Sequence, residues 1–108
     1  MKRGDIVTVA APGDYGKPRP AVVIQSDHLA DGESVMVCLM TSTKRAAPLY
    51  RLDIPIQPET GLRAPSQIMI DKIVAVRRSR CGEPIGCIDA TTLASLGRSL
   101  TLMIGIAD

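Results

Sequence analysis

Few side chains in this sequence are placed to do chemistry, and most of those are cationic. Arg19 stands between Pro18 and Pro20. Both prolines restrict the backbone, so the guanidinium would be presented with little freedom left to lose. A guanidinium is planar, permanently charged and able to grip two phosphate oxygens at once. Thr41, Ser42 and Thr43 place consecutive hydroxyls just before Lys44 and Arg45. A hydroxyl here can donate to a phosphate oxygen or orient a nucleophile, but it is no effective base without help. Taken alone, Thr41 is also an ordinary β-branched residue closing a strand, and Arg19 an ordinary surface arginine. Asp71 by itself reads as an acid at a sheet edge paired with Lys72 or Arg77. Arg77, Arg78 and Arg80 crowd one turn region.

Other residue types narrow the chemistry by exclusion. The single histidine, His28, rules out sites needing two His ligands and a two-histidine acid–base pair. It follows Ser26-Asp27 at a turn and reads as solvated, although its ordinary pKa lies near neutrality. Cys38 lies in an apolar run and reads as core. Cys81 and Cys87 flank a turn, and none of the three cysteines has ligand spacing. Asp27, Asp31 and Glu33 gather only across a turn, so no metal cofactor is expected. With two Tyr, no Trp and no Phe, an aromatic base-stacking platform is disfavoured. The net charge of +2 is too small by itself to argue nucleic-acid binding.

The elements that must position these residues follow from the apolar pattern. The 108 residues read as one domain, 1–108, with 45% hydrophobic content sufficient for one core. DIVTVA (5–10), AVVIQ (21–25) and VMVCLMT (35–41) are β-branched or apolar runs that predict strands. Leu52, Ile54 and Ile56 alternate with Arg51, Asp53 and Pro55, predicting a half-buried strand ending at an edge. SQIMIDKIVAV (66–76) predicts a strand pair or one bent strand. Ala11–Pro18, Thr43–Ala47 and Pro58–Pro65 read as loops. Asp89 is a good helix cap, and Leu93, Leu96, Leu100, Met103 and Ile104 recur at helical spacing. Gly97 and Gly105 would weaken that helix by about 1 kcal/mol each. The third-strand run and the Leu93, Leu96 and Leu100 face look like more apolar surface than one small core absorbs. The pattern predicts a mainly β fold, a small barrel or curved sheet with one C-terminal α-helix. No apolar run approaches 18 residues, and the basic start turns polar at Gly4 and Asp5, so neither a membrane span nor a signal peptide is expected. Cysteine usage suits a reduced, cytoplasmic protein.

The segment RGDIV…GKPRPAVVIQSD resembles the MazF/PemK family of bacterial toxins. The resemblance continues through VMVCLMTS, LYRLDIP and GLRAPSQIMIDKIVAV to the Leu-rich closing helix, and covers nearly the whole chain in order. The Arg-Pro followed by an apolar strand is its most specific part. It implies an SH3-like barrel of the CcdB/PemK/MazF type, assembled as a homodimer. It also implies a metal-independent endoribonuclease of a type II toxin–antitoxin system, an mRNA interferase that inhibits growth. Such enzymes cut single-stranded RNA at short sequences by 2′-OH attack, leaving a 2′,3′-cyclic phosphate and a 5′-OH. A cognate antitoxin inhibits them by laying an extended acidic tail in the RNA groove. By the same resemblance Arg19 and Thr41 carry most of the catalysis, and Asp71 matches a proton-transfer position of part of the family. Lys17, Ser42, Thr43, Lys44, Arg45, Arg77 and Arg78 would then line the RNA groove.

Two departures bear on that expectation. The stretch Asp14-Tyr15-Gly16-Lys17-Pro18 replaces the Glu-Gln found in many members, so base specificity does not carry over. Met69 stands where some relatives hold a basic residue in the fifth strand. Two other readings remain. A CcdB-like gyrase poison would share the barrel without cutting RNA, but it lacks the Arg-Pro loop and would favour an aromatic helix end, absent here. A catalytically inactive relative would only bind a partner.

Overall fold

The computed structural model describes residues 1–10 and 17–106. Ala11–Gly16, and with them the departure at Asp14, Tyr15 and Gly16, lie outside the described residues. Each β-branched run forms a strand: β1 (Asp5–Val9), β2 (Arg19–Val23), β3 (Ser34–Thr41), β4 (Arg51–Ile54), β5 (Ser66–Arg77) and β6 (Gly86–Cys87). They make one curled antiparallel sheet in the order β4-β5-β3-β2-β1-β6. A single helix, α1 (Ala90–Met103), closes the chain. This is the expected mainly β fold with one C-terminal helix. Among the described residues, no helix is long and apolar enough to cross a membrane.

Alternation along the strands sends side chains to two cores. Ile6, Val22, Cys38, Met40, Ile68 and Ile70 form one, against which Leu93, Leu96, Leu100 and Met103 of α1 pack. Val7, Val9, Ala21, Val23, Val35 and Val37 form the other. Most of the apolar surplus expected from the third strand and the helix face is therefore not on the surface, with Met36 of β3, 43% exposed, the exception. β3 divides its other apolar residues between the two cores, and the helix leucines lie over one of them. Other exposed apolar residues include Leu49, Tyr50, Leu102, Ile104 and Ile106.

Three expectations are corrected in detail. β2 begins at Arg19 rather than at Ala21. Its ladder with β3 starts only at Ala21, one residue past Pro20, which has no N–H to give. Ile56 is exposed rather than inward, because β4 ends at Ile54, before Pro55. Gly105 does not weaken the helix, because it ends it. At φ +83° it takes the left-handed conformation that favours glycine, its N–H donating to the Leu102 carbonyl and that of Ile106 to Thr101. Ile104 is the C-cap and is exposed. At the other end Asp89 accepts from the Thr92 N–H at 2.7 Å, as its position predicts.

β5 is one bent strand rather than a pair. Between Cys38↔Ile73 and Met40↔Ile68 the register shifts, a step of two residues on β3 meeting five on β5. The slack lies in Met69–Lys72, and such a bulge sharpens local twist. It lets β5 pair with β4 at one end and wrap the curl at the other.

Candidate active site

Antiparallel register decides which chemical residues meet. β1 places Val9 opposite Arg19, and β2 places Ala21 opposite Leu39, which carries Arg19 and Thr41 to the same sheet end. β3 then places Thr41 opposite Gln67. Above these strand ends lies a cleft of about 350 Å3, lined by Arg19, Pro20, Met40, Thr41, Ser42, Thr43, Leu62, Arg63, Ala64 and Ser66. Among the described residues its polar lining is two guanidinium-bearing residues and a set of hydroxyls, with no carboxylate, imidazole or thiol. Such a lining suits a phosphate.

Thr41 is half-buried, and its Oγ1 accepts the Thr43 N–H at 3.1 Å. One lone pair is thereby used, and the hydroxyl proton remains to be donated into the cleft. The turn that follows is held from below by Gln67, only 5% exposed. The Gln67 amide accepts from the Arg45 N–H at 3.0 Å and donates to the Arg45 carbonyl at 3.0 Å and to Asp53 Oδ1 at 2.9 Å. Arg51 Nη1 adds a donation to the Thr43 carbonyl at 3.5 Å. The hydroxyl-bearing turn is thus tied at both ends.

Of the residues expected in the site, Arg19, Thr41, Ser42 and Thr43 share this cleft. Lys17 is exposed just before Arg19, and Lys44 is exposed just past Thr43. Arg45 lines an adjoining hollow of about 150 Å3 with Arg51, Asp53 and Gln67. Arg77 and Arg78 are not brought to the cleft of their own chain. Arg77 pairs with Ser34, at the far end of β3 from Thr41, roughly 20 Å away at ~3.3 Å per residue. The Arg78 guanidinium donates to the carbonyls of Gly32 and Leu29, holding the turn before β3. Asp71 does not line the cleft either. It is exposed on the β5 bulge, close enough to Cys38 to add to the rise of that thiol, which burial chiefly pushes up to about 12. Cys38 is core, and all three cysteines are free, as expected.

His28 lies exposed in a short 3-10 turn capped by the Ser26 hydroxyl. It borders a larger hollow of about 570 Å3, shared with Asp31 and Glu33. Those acids make that hollow a poor host for a phosphate, so size does not select the site here. Among the described residues, no three His, Cys, Asp or Glu side chains gather as a ligand set.

Sequence reasoning missed Arg63, Ser66 and Gln67. Arg63 carried one usable signal, a cation two residues after Gly61. Gln67 is a polar residue on the inward face of an apolar strand, which calls for a buried partner.

A curled antiparallel sheet with a closing helix and a cation-and-hydroxyl cleft at one sheet end makes a small β domain whose cleft has the chemistry to receive a phosphate. Comparison with known proteins is more specific. Residues 2–104 match the family of PemK-like, MazF-like toxins of type II toxin–antitoxin systems, and the chain belongs to that family. It is 43% identical, over 99% of both chains, to a Mycolicibacterium smegmatis protein named "Probable endoribonuclease MazF". An endoribonuclease from a mycobacterial species, solved with its cognate antitoxin, superposes with a TM-score of 0.79 at 17% identity, over 97% of this chain and 95% of that one. MazF of Deinococcus radiodurans, solved with MazE, gives 0.77 at 20% identity over 97% and 95%. These two likenesses concern the fold.

Proposed function

We propose that this chain is an endoribonuclease toxin that cleaves single-stranded RNA without a metal ion. Its support is the convergence of Arg19 and Thr41 on one cleft that, among the described residues, holds cations and hydroxyls but no acid, in a chain 43% identical to a named endoribonuclease. The ribose 2′-hydroxyl gives up its proton to solvent water as its oxygen bonds to the adjacent phosphorus, and the P–O5′ bond breaks. The products are a 2′,3′-cyclic phosphate and a 5′-OH, the leaving oxygen taking up one proton from water, so that no net proton is gained or lost. Arg19 grips the phosphate oxygens as charge builds on them. Thr41, its oxygen already engaged by the Thr43 N–H, donates its proton to the same group.

Lys17, Lys44 and Arg45 extend the positive rim along which the strand runs. An acidic antitoxin segment competes for that rim by the same electrostatics. Two copies associate in this reading, supported by a hollow of about 210 Å3 lined by Leu49, Tyr50, Leu102 and Met103 and by exposed Ile104 and Ile106 next in sequence. Any part taken by Arg77, Arg78 or Asp71 then comes from the second copy.

The test incubates purified protein with a long RNA in EDTA and maps the new ends. Discrete cuts bearing 5′-OH and cyclic phosphate are expected. Absence of cleavage in EDTA with recovery in magnesium or manganese overturns the mechanism.

A further inference from the structure

We infer that Arg63 is a second phosphate ligand, gripping a phosphate that neighbours the one held by Arg19 and so fixing where the RNA strand sits. The inference rests on the reading of the cleft as an RNA site. Its first ground is placement, since Arg63 and Arg19 line the same cleft, and no acid among the described residues lines it. Its second ground is the stiffness of the segment that carries it. Pro58–Thr60 form a 3-10 turn. Thr60, 1% exposed, donates its hydroxyl to the Gln57 carbonyl at 2.9 Å and accepts the Leu62 N–H at 3.2 Å. Gly61 follows at φ +68°, where a Cβ would meet the Ile85 carbonyl oxygen at 2.1 Å, so only glycine fits. Leu62 packs on the core below α1. Beyond Arg63, the Ser66 hydroxyl donates to the Ala64 carbonyl at 3.0 Å, and Pro65 limits the backbone.

The third ground is that the guanidinium is left over. The carbonyls of Gln57, Pro58 and Ala64 are engaged within this braced turn, while Arg63, exposed, has no hydrogen-bond or ion-pair partner among the described residues. Arg78, on a comparable turn, spends its guanidinium on two carbonyls. A chain that orders a loop on both sides of an arginine, and aims it over a cleft of hydroxyls, has already met much of the ordering cost of gripping an anion. Met69, where some relatives hold a cation, is 8% exposed and packed inside. Arg63 supplies from the neighbouring connection the charge that Met69 lacks.

The test uses RNA oligonucleotides spanning a mapped cut, with 2′-deoxy at the cut nucleotide for binding and intact RNA for turnover. Arg63→Ala should raise Kd and KM about five- to tenfold and leave kcat within about twofold. The slope of log Kd against log salt should fall by about 0.7, one contact on a single strand. Arg63→Lys should recover part of the affinity and all of the slope. Next, each phosphate near the cut is replaced in turn by an uncharged methylphosphonate. At one position the wild type should weaken to the level of Arg63→Ala, and the variant should weaken no further. An unchanged Kd and slope overturns the inference, as does a loss spread evenly over all positions, or a kcat loss as large as that of Arg19→Ala. Failure of the wild type to bind or cut any RNA overturns the functional reading itself, and so is distinguishable.

Discussion

Gln67 gives the sharpest way to separate a folded cleft from a working one. Gln67→Met keeps length and removes both polar ends of the amide. Two neutral bonds to the Arg45 backbone are worth about 1 kcal/mol each, and the bond to the Asp53 carboxylate about 1.5–3 kcal/mol. Arg45 and Asp53 are exposed, so water takes over much of what the amide did, and the methionine gains apolar burial. The net loss is then about 2 kcal/mol, a drop of roughly 10 °C in Tm for a domain of this size. The Thr41–Arg45 turn loosens as well, and a misplaced hydroxyl lowers kcat/KM by at least ~10-fold. Gln67→Glu sharpens the test. It retains an acceptor for the Arg45 N–H but sets a carboxylate against Asp53, so the introduced group has its folded pKa raised. A raised carboxyl pKa penalises the ionised form. The penalty is absent below the ordinary carboxyl range near pH 4 and complete above the raised value. Gln67→Glu should therefore approach wild-type stability on acidification, whereas Gln67→Met should not. The assays are thermal melts at pH 4 and 7 and cleavage of a mapped RNA at 20 °C below each Tm. Unchanged melting and unchanged kcat/KM refute the reasoning. Lower Tm with full kcat/KM shows that the amide braces the fold without positioning the site.

Other variants address separate links of the argument. Arg19→Ala should lower cleavage at least ~100-fold with the fold intact, because it removes a charge that stabilises the transition state. Thr41→Val should cut kcat while leaving RNA affinity near wild type; parallel loss of both makes Thr41 a contact only. Asp71→Asn should keep cleavage within about threefold, since Asp71 does not line the cleft; a hundredfold loss restores it as a catalytic group. Gly97→Ala should stabilise by about 1 kcal/mol, raising Tm by roughly 4–8 °C, because glycine is unfavourable inside a helix and a Cβ there meets only the flexible end of Arg3 at 3.6 Å. A thiol reagent at pH 8 should modify exposed Cys87 in the native protein and Cys38 only on unfolding, since burial pushes the Cys38 thiol up to about 12; native labelling of Cys38 by mass spectrometry contradicts the core placement.

What the sequence discloses here depends on how far apart the deciding residues lie. Pro18-Arg19-Pro20 and the strand ending in Thr41 carry local signals, rigidity on one side and a change from apolar to polar on the other, and both residues reach the cleft. The Asp89 cap is equally local. Arg63 and Gln67 carry only faint ones, a cation after Gly61 and a polar residue in an apolar strand, because their value arises only when β5 pairs with the end of β3 and brings the 61–66 segment alongside Thr41. Arg77 and Arg78 are the reverse case. Clustered charge looks like one groove in the linear chain, yet the strand that starts beside Thr41 at Gln67 delivers these arginines to the opposite end of β3. Counting cations therefore does not delimit the cleft of one chain, whereas register does. The bulge at Met69–Lys72 is the step that no periodicity announces, and it sets Asp71 on an exposed bend. A single-residue change of that register would flip every side chain of one half of β5 to the other core. The placement of Gln67 beneath the Thr41 turn, and of Arg63 above it, thus depends on the same long-range pairing that builds the two cores. The cleft cannot be formed before the sheet is, which is why its full membership is a property of the fold rather than of any segment.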